Sequence, residues 1–293
     1  MRYIVGCSAA EHDREAIALA WALTDATGAE LHLVHVVPGR APERATSAQE
    51  AQYQKFRRAE AEKPMRRHQD LVPPGIPVSS HVVFGETPAA GLLEAVEALG
   101  AGLVIVGTAQ RSPLRRFTVG STATALLRKS IVPIGLAPSG YRPPRGITRI
   151  TCAIGTRAGH GSLLEVATEA AARRHAPLRL VSLVTVDARR AGRQATGWAE
   201  AHAKVILDQA VEAVDRRTLV RADIAPGRTI EEAIDNLDWD ESEIVLIGSS
   251  RLASRNRIFL GNAAHRMLRA LPVPVIVVPR DRPSLDRMPT DVT

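Results

Sequence analysis

The chain runs through the same order of segments twice, and this internal duplication restricts its fold more than any other feature of its 293 residues. Each copy opens on a short apolar strand, YIVGCS (Tyr3 to Ser8) and ITCAIG (Ile150 to Gly155), followed by an amphipathic helix, EAIALAWALTDATG and SLLEVATEAAARRH. A second strand comes next, ELHLVHVV (Glu30 to Val37) and LRLVSLVTV (Leu178 to Val186). Then a strand runs through a turn into a helix, HVVFGETPAAGLLEAV and ADIAPGRTIEEAI. A fourth strand, LVIVGT or IVLIGS, leads through a polar loop and a helix to a last strand, IVPIGLAP or VPVIVVP. Gly85 and Gly227 are 142 residues apart, and the pairs Gly107/Gly248 and Gly120/Gly261 are each 141 apart.

Strands that alternate with helices form βαβ units with right-handed crossovers, and apolar, β-branched strands suit a parallel sheet covered on both faces. The expected fold is α/β, two tandem doubly wound (Rossmann-like) domains, each with a five-stranded parallel sheet. Domain 1 is expected over residues 1–140 and domain 2 over 147–280. The Pro- and Gly-bearing stretch SGYRPPRG holds the linker, residues 141–146, and the polar tail 281–293 is expected to be disordered. Gly39 to Ser47 reads as a loop leading to a charged helix over Ala48 to His68, with Asp187 to Ala195 in the same place in the second copy.

Composition narrows the function. With 45% hydrophobic and 24% charged residues the chain has enough apolar material for two cores, which excludes long disorder. Aromatics are only 3%, too few for a base-stacking surface, and single-stranded nucleic acid is not an expected partner. The formal charge of +7 is spread evenly, with 17 Lys and Arg against 13 Asp and Glu up to residue 145 and 21 against 18 beyond it. Such diffuse charge is a solvated surface rather than a basic arm for nucleic acid. No apolar stretch approaches a membrane span, and the start MRYIVGCS is too quickly followed by charge for a signal peptide, so a cytoplasmic protein is expected. Cys7 and Cys152 are the only cysteines and read as reduced, buried core thiols.

In a doubly wound sheet, ligands bind beyond the carboxyl ends of the strands where the strand order reverses. If the first and fourth strands flank that crevice, Ser8 lies beside Gly107 and Gly155 beside Gly248. The loop after Gly107 closes on Gly120, Ser121 and Thr122 at the start of a helix, whose free backbone N–H groups and partial positive charge can hold a phosphate. Ser121 also reads as an ordinary helix N-cap, which needs no ligand.

A strand ending in Gly, then two residues, Gly, nine residues, Gly and Ser or Thr resembles the phosphate- and ribose-binding pattern of the ATP-binding universal stress proteins. The first copy gives Gly107, Gln110, Gly120 and Ser121, with the spacing intact and the middle glycine replaced. The second gives Gly248, Arg251, Gly261 and Asn262, which loses the hydroxyl as well. The resemblance covers nearly the whole chain as two family domains. It implies an aspartate at the end of the first strand, where Ser8 and Gly155 stand, and a base-contacting valine on the second strand, matched by Val36 and Leu183. It implies ATP or a related adenine nucleotide as ligand, bound in copy one rather than copy two, with Mg²⁺ only as the nucleotide's companion. It also implies that the two domains pair through their last strands, Val132 to Leu136 and Val273 to Val277, and that the chain forms a homodimer. A side chain at Gln110 or Arg251 restricts positive φ and fills space that phosphate oxygens would use, although Arg251 can offer a charge-assisted contact instead.

Other groupings carry less. GTRAGHGS (Gly155 to Ser162) lies between strand and helix but lacks the lysine of a P-loop, and reads as a turn with Ser162 as N-cap. No Walker A or GxGxxG motif is present. His32 and His35 stand three apart on a strand and point to opposite faces, while His12 and His160 are single loop histidines. No metal-ligand set, Ser-His-Asp grouping or carboxylate pair stands out, so no enzyme activity is expected. Two readings remain, a regulatory nucleotide-binding module and a nucleotide-independent scaffold with degenerate sites that acts through other proteins. A slow ATP hydrolase ranks behind both, because no base or nucleophile is identifiable.

Overall fold

The computed structural model describes residues 1–8, 13–108, 119–143, 146–155, 161–185, 188–249 and 260–279, with the backbone alone for 188–196. Gln110, Arg251, His12, His160 and the tail 281–293 lie outside them. The first copy contains β1 (Arg2–Cys7), α1 (Asp13–Thr24), β2 (Glu30–Pro38), a 3-10 turn (Pro42–Arg44), α2 (Ala48–Gln69), β3 (Val78–Gly85), α3 (Pro88–Leu99), β4 (Leu103–Gly107), α4 (Ser121–Lys129) and β5 (Ile134–Ala137). The second contains β6 (Arg149–Ala153), α5 (Gly161–Arg174), β7 (Leu178–Thr185), α6 (Ala188–Glu212), β8 (Val220–Gly227), α7 (Ile230–Asp235), β9 (Glu243–Gly248), α8 (Asn262–Ala270) and β10 (Val275–Val278).

Local chemistry explains why these segments start and stop where they do. Both strand-to-helix turns use the same device: Thr87 accepts the N–H of Ala90 at the start of α3, and Thr229 accepts that of Glu232 at the start of α7. The glycine two residues before each threonine ends its strand for want of room. A Cβ on Gly85 would meet the Gly91 backbone at 2.9 Å, and one on Gly227 would meet the Ala233 nitrogen at 2.5 Å. Ser47 accepts the N–H of Glu50, whose carboxylate in turn takes the Thr46 N–H, and this reciprocal cap opens α2. The second copy departs from the expected loop over Asp187 to Ala195, because α6 begins at Ala188. Ala, Arg and Gln favour helix there, and neither proline nor a turn sequence interrupts them.

Within each copy the strands are parallel, in the order 3-2-1-4-5 for the first and its repeat for the second. The two sheets are one. β5 and β10 pair antiparallel, with Val275 opposite Leu136, Ile276 opposite Gly135 and Val277 opposite Ile134, giving a ten-stranded sheet across both copies. Its two faces carry two cores, each drawn from both copies. One packs Val5, Leu19, Leu31 and Ile105 with Ile150, Leu178 and Leu246, and the other packs Ile4, Val34 and Leu126 with Ile247, Leu268 and Val277. Across the same junction Arg174 of α5 donates to the Leu23 carbonyl of α1 at 2.9 Å. Tyr141, in the connecting stretch, is buried against the first of these cores.

The second copy buries charge. Glu243 is wholly inaccessible and accepts from Arg149, from the Thr151 hydroxyl and from the Asp240 N–H at 3.3 Å, with Arg179 Nη1 3.6 Å away. Arg179 also donates to Asp223 and to the Asp238 carbonyl, each at 2.7 Å, and lies over the Trp239 ring. Charges are tolerated inside a protein when each meets an opposite partner and its remaining hydrogen-bonding capacity is used.

Candidate functional site

The strand order puts β1 beside β4 and β6 beside β9, so the reversal point falls between the first and fourth strands of each copy. In the first copy a cavity of about 230 Å³ opens there. Ser8, Val36, Gly107, Gly120, Ser121 and Thr122 all line it, brought together from β1, β2, β4 and the start of α4. Gly91 of α3 packs so closely on Val36 that a Cβ would meet its Cγ1 at 2.5 Å, which fixes the valine against the sheet.

The helix start differs from the reading of Ser121 as a cap. Gly120 occupies the N-cap with no side-chain hydrogen bond, and Ser121 is the first residue of α4. The N-cap residue therefore offers no side chain to the first N–H groups of the helix. The Gly120 backbone has φ −62°, and a Cβ there would meet nothing within 4 Å among the described residues. Beside it, Thr108 is buried and its hydroxyl has no hydrogen-bond partner among the described residues. Thr108 and the start of the nine-residue helix α4, whose N-cap has no side chain, line one cavity, and the N–H groups of such a helix start suit an anion.

Asp13 was not singled out from the sequence, yet it lines the same cavity from the first turn of α1. Its carboxylate accepts from the Ser8 N–H at 2.8 Å and from the Ser8 hydroxyl at 3.1 Å. His68, near the end of α2, brings Nε2 to 3.4 Å from the same carboxylate, and Cys7 stands next to Ser8 on β1. The order is serine, aspartate, histidine with the acid in the middle, so His68 meets the aspartate and not the Ser8 hydroxyl, and these three residues are not arranged as a nucleophilic triad. Burial, then the Asp13 charge, pushes the Cys7 thiol well above its usual range. Burial, followed by His35, Arg67 and Arg14, lowers His68 and leaves it neutral near pH 7. His35 itself turns Nδ1 to the Cys7 carbonyl at 3.1 Å, whereas His32 meets His81 at 2.9 Å, so the two strand histidines serve separate places.

In the second copy Gly155 follows β6, Leu183 lies on β7, Gly248 ends β9, Gly261 is the cap of α8 and Asn262 its first residue. The backbone plan thus repeats, but Gly155 offers no side chain where the first copy has Ser8. Helix α5 starts at Gly161, which places Ser162 inside its first turn rather than at the cap. No helix among the described residues is long and apolar enough to cross a membrane.

Fold and cleft together define a duplicated Rossmann-like α/β protein with a crevice at the strand reversal. The universal stress protein family model matches residues 1–137 and again 146–279, and the chain belongs to that family as a tandem member. Universal stress protein Rv2319c of Mycobacterium tuberculosis is 30% identical over 231 residues, covering 75% of this chain and 77% of that protein. A universal stress protein of Archaeoglobus fulgidus superposes with a TM-score of 0.65 at 15% identity, covering 95% and 98% of the two chains. The cytoplasmic domain of a prokaryotic cation chloride cotransporter also superposes, with a TM-score of 0.52 at 12% identity and 95% of each chain. A likeness at such identities speaks to fold alone.

Proposed function

We propose that the chain is a regulatory protein whose first copy binds ATP or a related adenine nucleotide in the β1/β4 crevice. The observation that carries this reading is the start of α4 at Gly120, an N-cap without a side chain, on a cavity also lined by Thr108, whose hydroxyl has no partner among the described residues. Phosphate oxygens would accept from the N–H groups of Ser121, Thr122 and Ala123, while Ser8 and Asp13 line the β1 side and Val36 the apolar side. Mg²⁺ would enter only with the nucleotide. The second copy, with Gly155, Arg251 and Asn262 at the matching positions, is the weaker site. Among the described residues of the crevice no histidine is placed to activate a nucleophile, and the role read here is binding and signalling rather than catalysis. Buried, free Cys7 and Cys152 suit the reducing cytoplasm. A homodimer would have to use a surface other than the last strands, since both are paired within the chain.

Calorimetric titration of the purified chain with ATP tests this. Gly120→Val suits the purpose because its backbone φ is one valine adopts and its Cβ meets no atom of the described residues, so the fold is expected to survive while the anion position is filled. A loss of at least about 10-fold in affinity is expected, from forfeited backbone hydrogen bonds and direct obstruction. No binding to the unaltered chain at millimolar ATP would leave the nucleotide-independent scaffold as the better reading.

A further inference from the structure

We propose that Cys7, Asp13 and His68 form a binding site for a thiophilic divalent cation of the zinc class. The three residues come from β1, the first turn of α1 and the end of α2, and the fold gathers them at one rim of the sheet. One ligand atom from each, the Cys7 Sγ, an Asp13 carboxylate oxygen and a His68 ring nitrogen, lies within 4.8 Å of both others. In a tetrahedral site with Zn–N and Zn–O near 2.0 to 2.2 Å, the N···O edge is roughly 3.3 Å. His68 Nε2 and Asp13 Oδ2 already stand 3.4 Å apart. The S···N and S···O edges of such a site are about 3.6 Å, so from within 4.8 Å the sulfur has to close by about 1.2 Å at most, within reach of a small side-chain rotation.

The donor types select the metal. Thiolate, imidazole and carboxylate together suit Zn²⁺ or Co²⁺ and not Mg²⁺ or Ca²⁺, which take oxygen ligands. Thiolate and carboxylate supply two negative charges, so a divalent ion makes a neutral centre at a buried place. On binding, the cysteine S–H bond breaks, the sulfur keeps the electron pair that it shares with the cation, and the proton passes to buffer.

The surroundings are those of a supported site. Ser8 holds the carboxylate through its N–H and its hydroxyl, and His35 holds the Cys7 carbonyl. The second ring nitrogen of His68, Nδ1, is buried with no hydrogen-bond partner among the described residues, so the ring can turn either nitrogen toward the cation. Three protein ligands leave a fourth position, and Cys7 and Asp13 both line the crevice cavity, so water or an anion reaches the cation from there. The second copy cannot repeat the arrangement, because matching Ser8 to Gly155 puts Ile154 where Cys7 stands. The proposal does not rest on the nucleotide reading, although Cys7 and Asp13 line the same crevice.

The untagged full-length chain, stripped with chelator, is titrated with Co²⁺ in the absence of nucleotide and then with Zn²⁺ in competition. The expected result is one equivalent bound, with a thiolate-to-cobalt charge-transfer band that Zn²⁺ abolishes. That band persists in Cys152→Ser and disappears in Cys7→Ser. His68→Gln, at a site near the helix end, is expected to weaken Co²⁺ at least about 100-fold, since even outer partners of metal ligands are worth 10- to 100-fold. Absence of the band in the unaltered chain, its loss in Cys152→Ser, or unchanged affinity in His68→Gln overturns the proposal. Should Cys7→Ser fail to fold by circular dichroism, the His68→Gln affinity decides.

Discussion

Replacing Glu243 by alanine is expected to cost about 3 to 5 kcal/mol of folding stability, because removing one member of a buried ion pair strands the other charges. Glu243 is wholly buried between Arg149 and Arg179, and Arg179 is itself almost inaccessible. Asp223 and the Asp238 carbonyl still engage Arg179 in the variant, but among the described residues Arg149 keeps only the Asp238 carbonyl. Glu243→Gln retains the shape and one acceptor, and should fall between the variant and the native chain. The exposed Lys204–Asp208 pair on α6 provides the contrast, since Asp208→Asn should cost less than about 0.5 kcal/mol. Urea denaturation of the three variants ranks them. Equal costs for Glu243→Ala and Asp208→Asn would mean that the Glu243 charge is not sequestered from water as described.

The second large effect lies at the seam between the copies. Val277 of β10 and Ile134 of β5 face each other directly and neither is accessible to solvent. Val277→Ala removes apolar contacts and is expected to cost about 2 kcal/mol. Val277→Asp places an unpaired carboxylate in the same core, and about 4 kcal/mol or more is expected, with the midpoint of denaturation falling accordingly. If aspartate proves no worse than alanine, water reaches the seam and the continuous sheet is not the arrangement in solution.

Much of this fold is legible in the sequence, for a physical reason. A parallel strand buried on both faces needs an unbroken apolar run, and a turn into a tightly packed helix excludes a Cβ, so the strands and the glycines recur at a fixed offset. Gly85 and Gly227 mark that offset, but what demands glycine there is the backbone of the next helix, 2.5 to 2.9 Å from any Cβ. The Gly120 turn could be assigned to the crevice because it follows the fourth strand at the reversal of strand order, and Val36 because the resemblance to universal stress proteins implies a base-contacting valine there. Asp13 and His68 could not. They are far apart in the chain, each sits on a helix where a polar residue is ordinary, and only the packing of α1 and α2 beside β1 joins them to Cys7. Glu243 was likewise hidden. It reads as the polar start of a strand, and its partners Arg149 and Arg179 arrive from the adjacent strand and the next one beyond it, 94 and 64 residues earlier. The start of α6 was misread because a helix without a recognisable cap carries no local mark of where it begins.

The junction of β5 and β10 has a consequence for how the two copies can change. Separate subunits that met along these strands would fall apart on dilution, and any chain could choose a partner like itself. Here each copy meets the other at the effective concentration set by a short tether. Stoichiometry is thus written into the gene, and the pair is always unlike with unlike. The outer strands β3 and β8 remain as the ends of the sheet, and β8 bears Arg221, Asp223 and Pro226, which discourage a further strand from adding. Under that arrangement copy two can lose the chemistry of its cleft and still be retained, as the half of the sheet that copy one leans on.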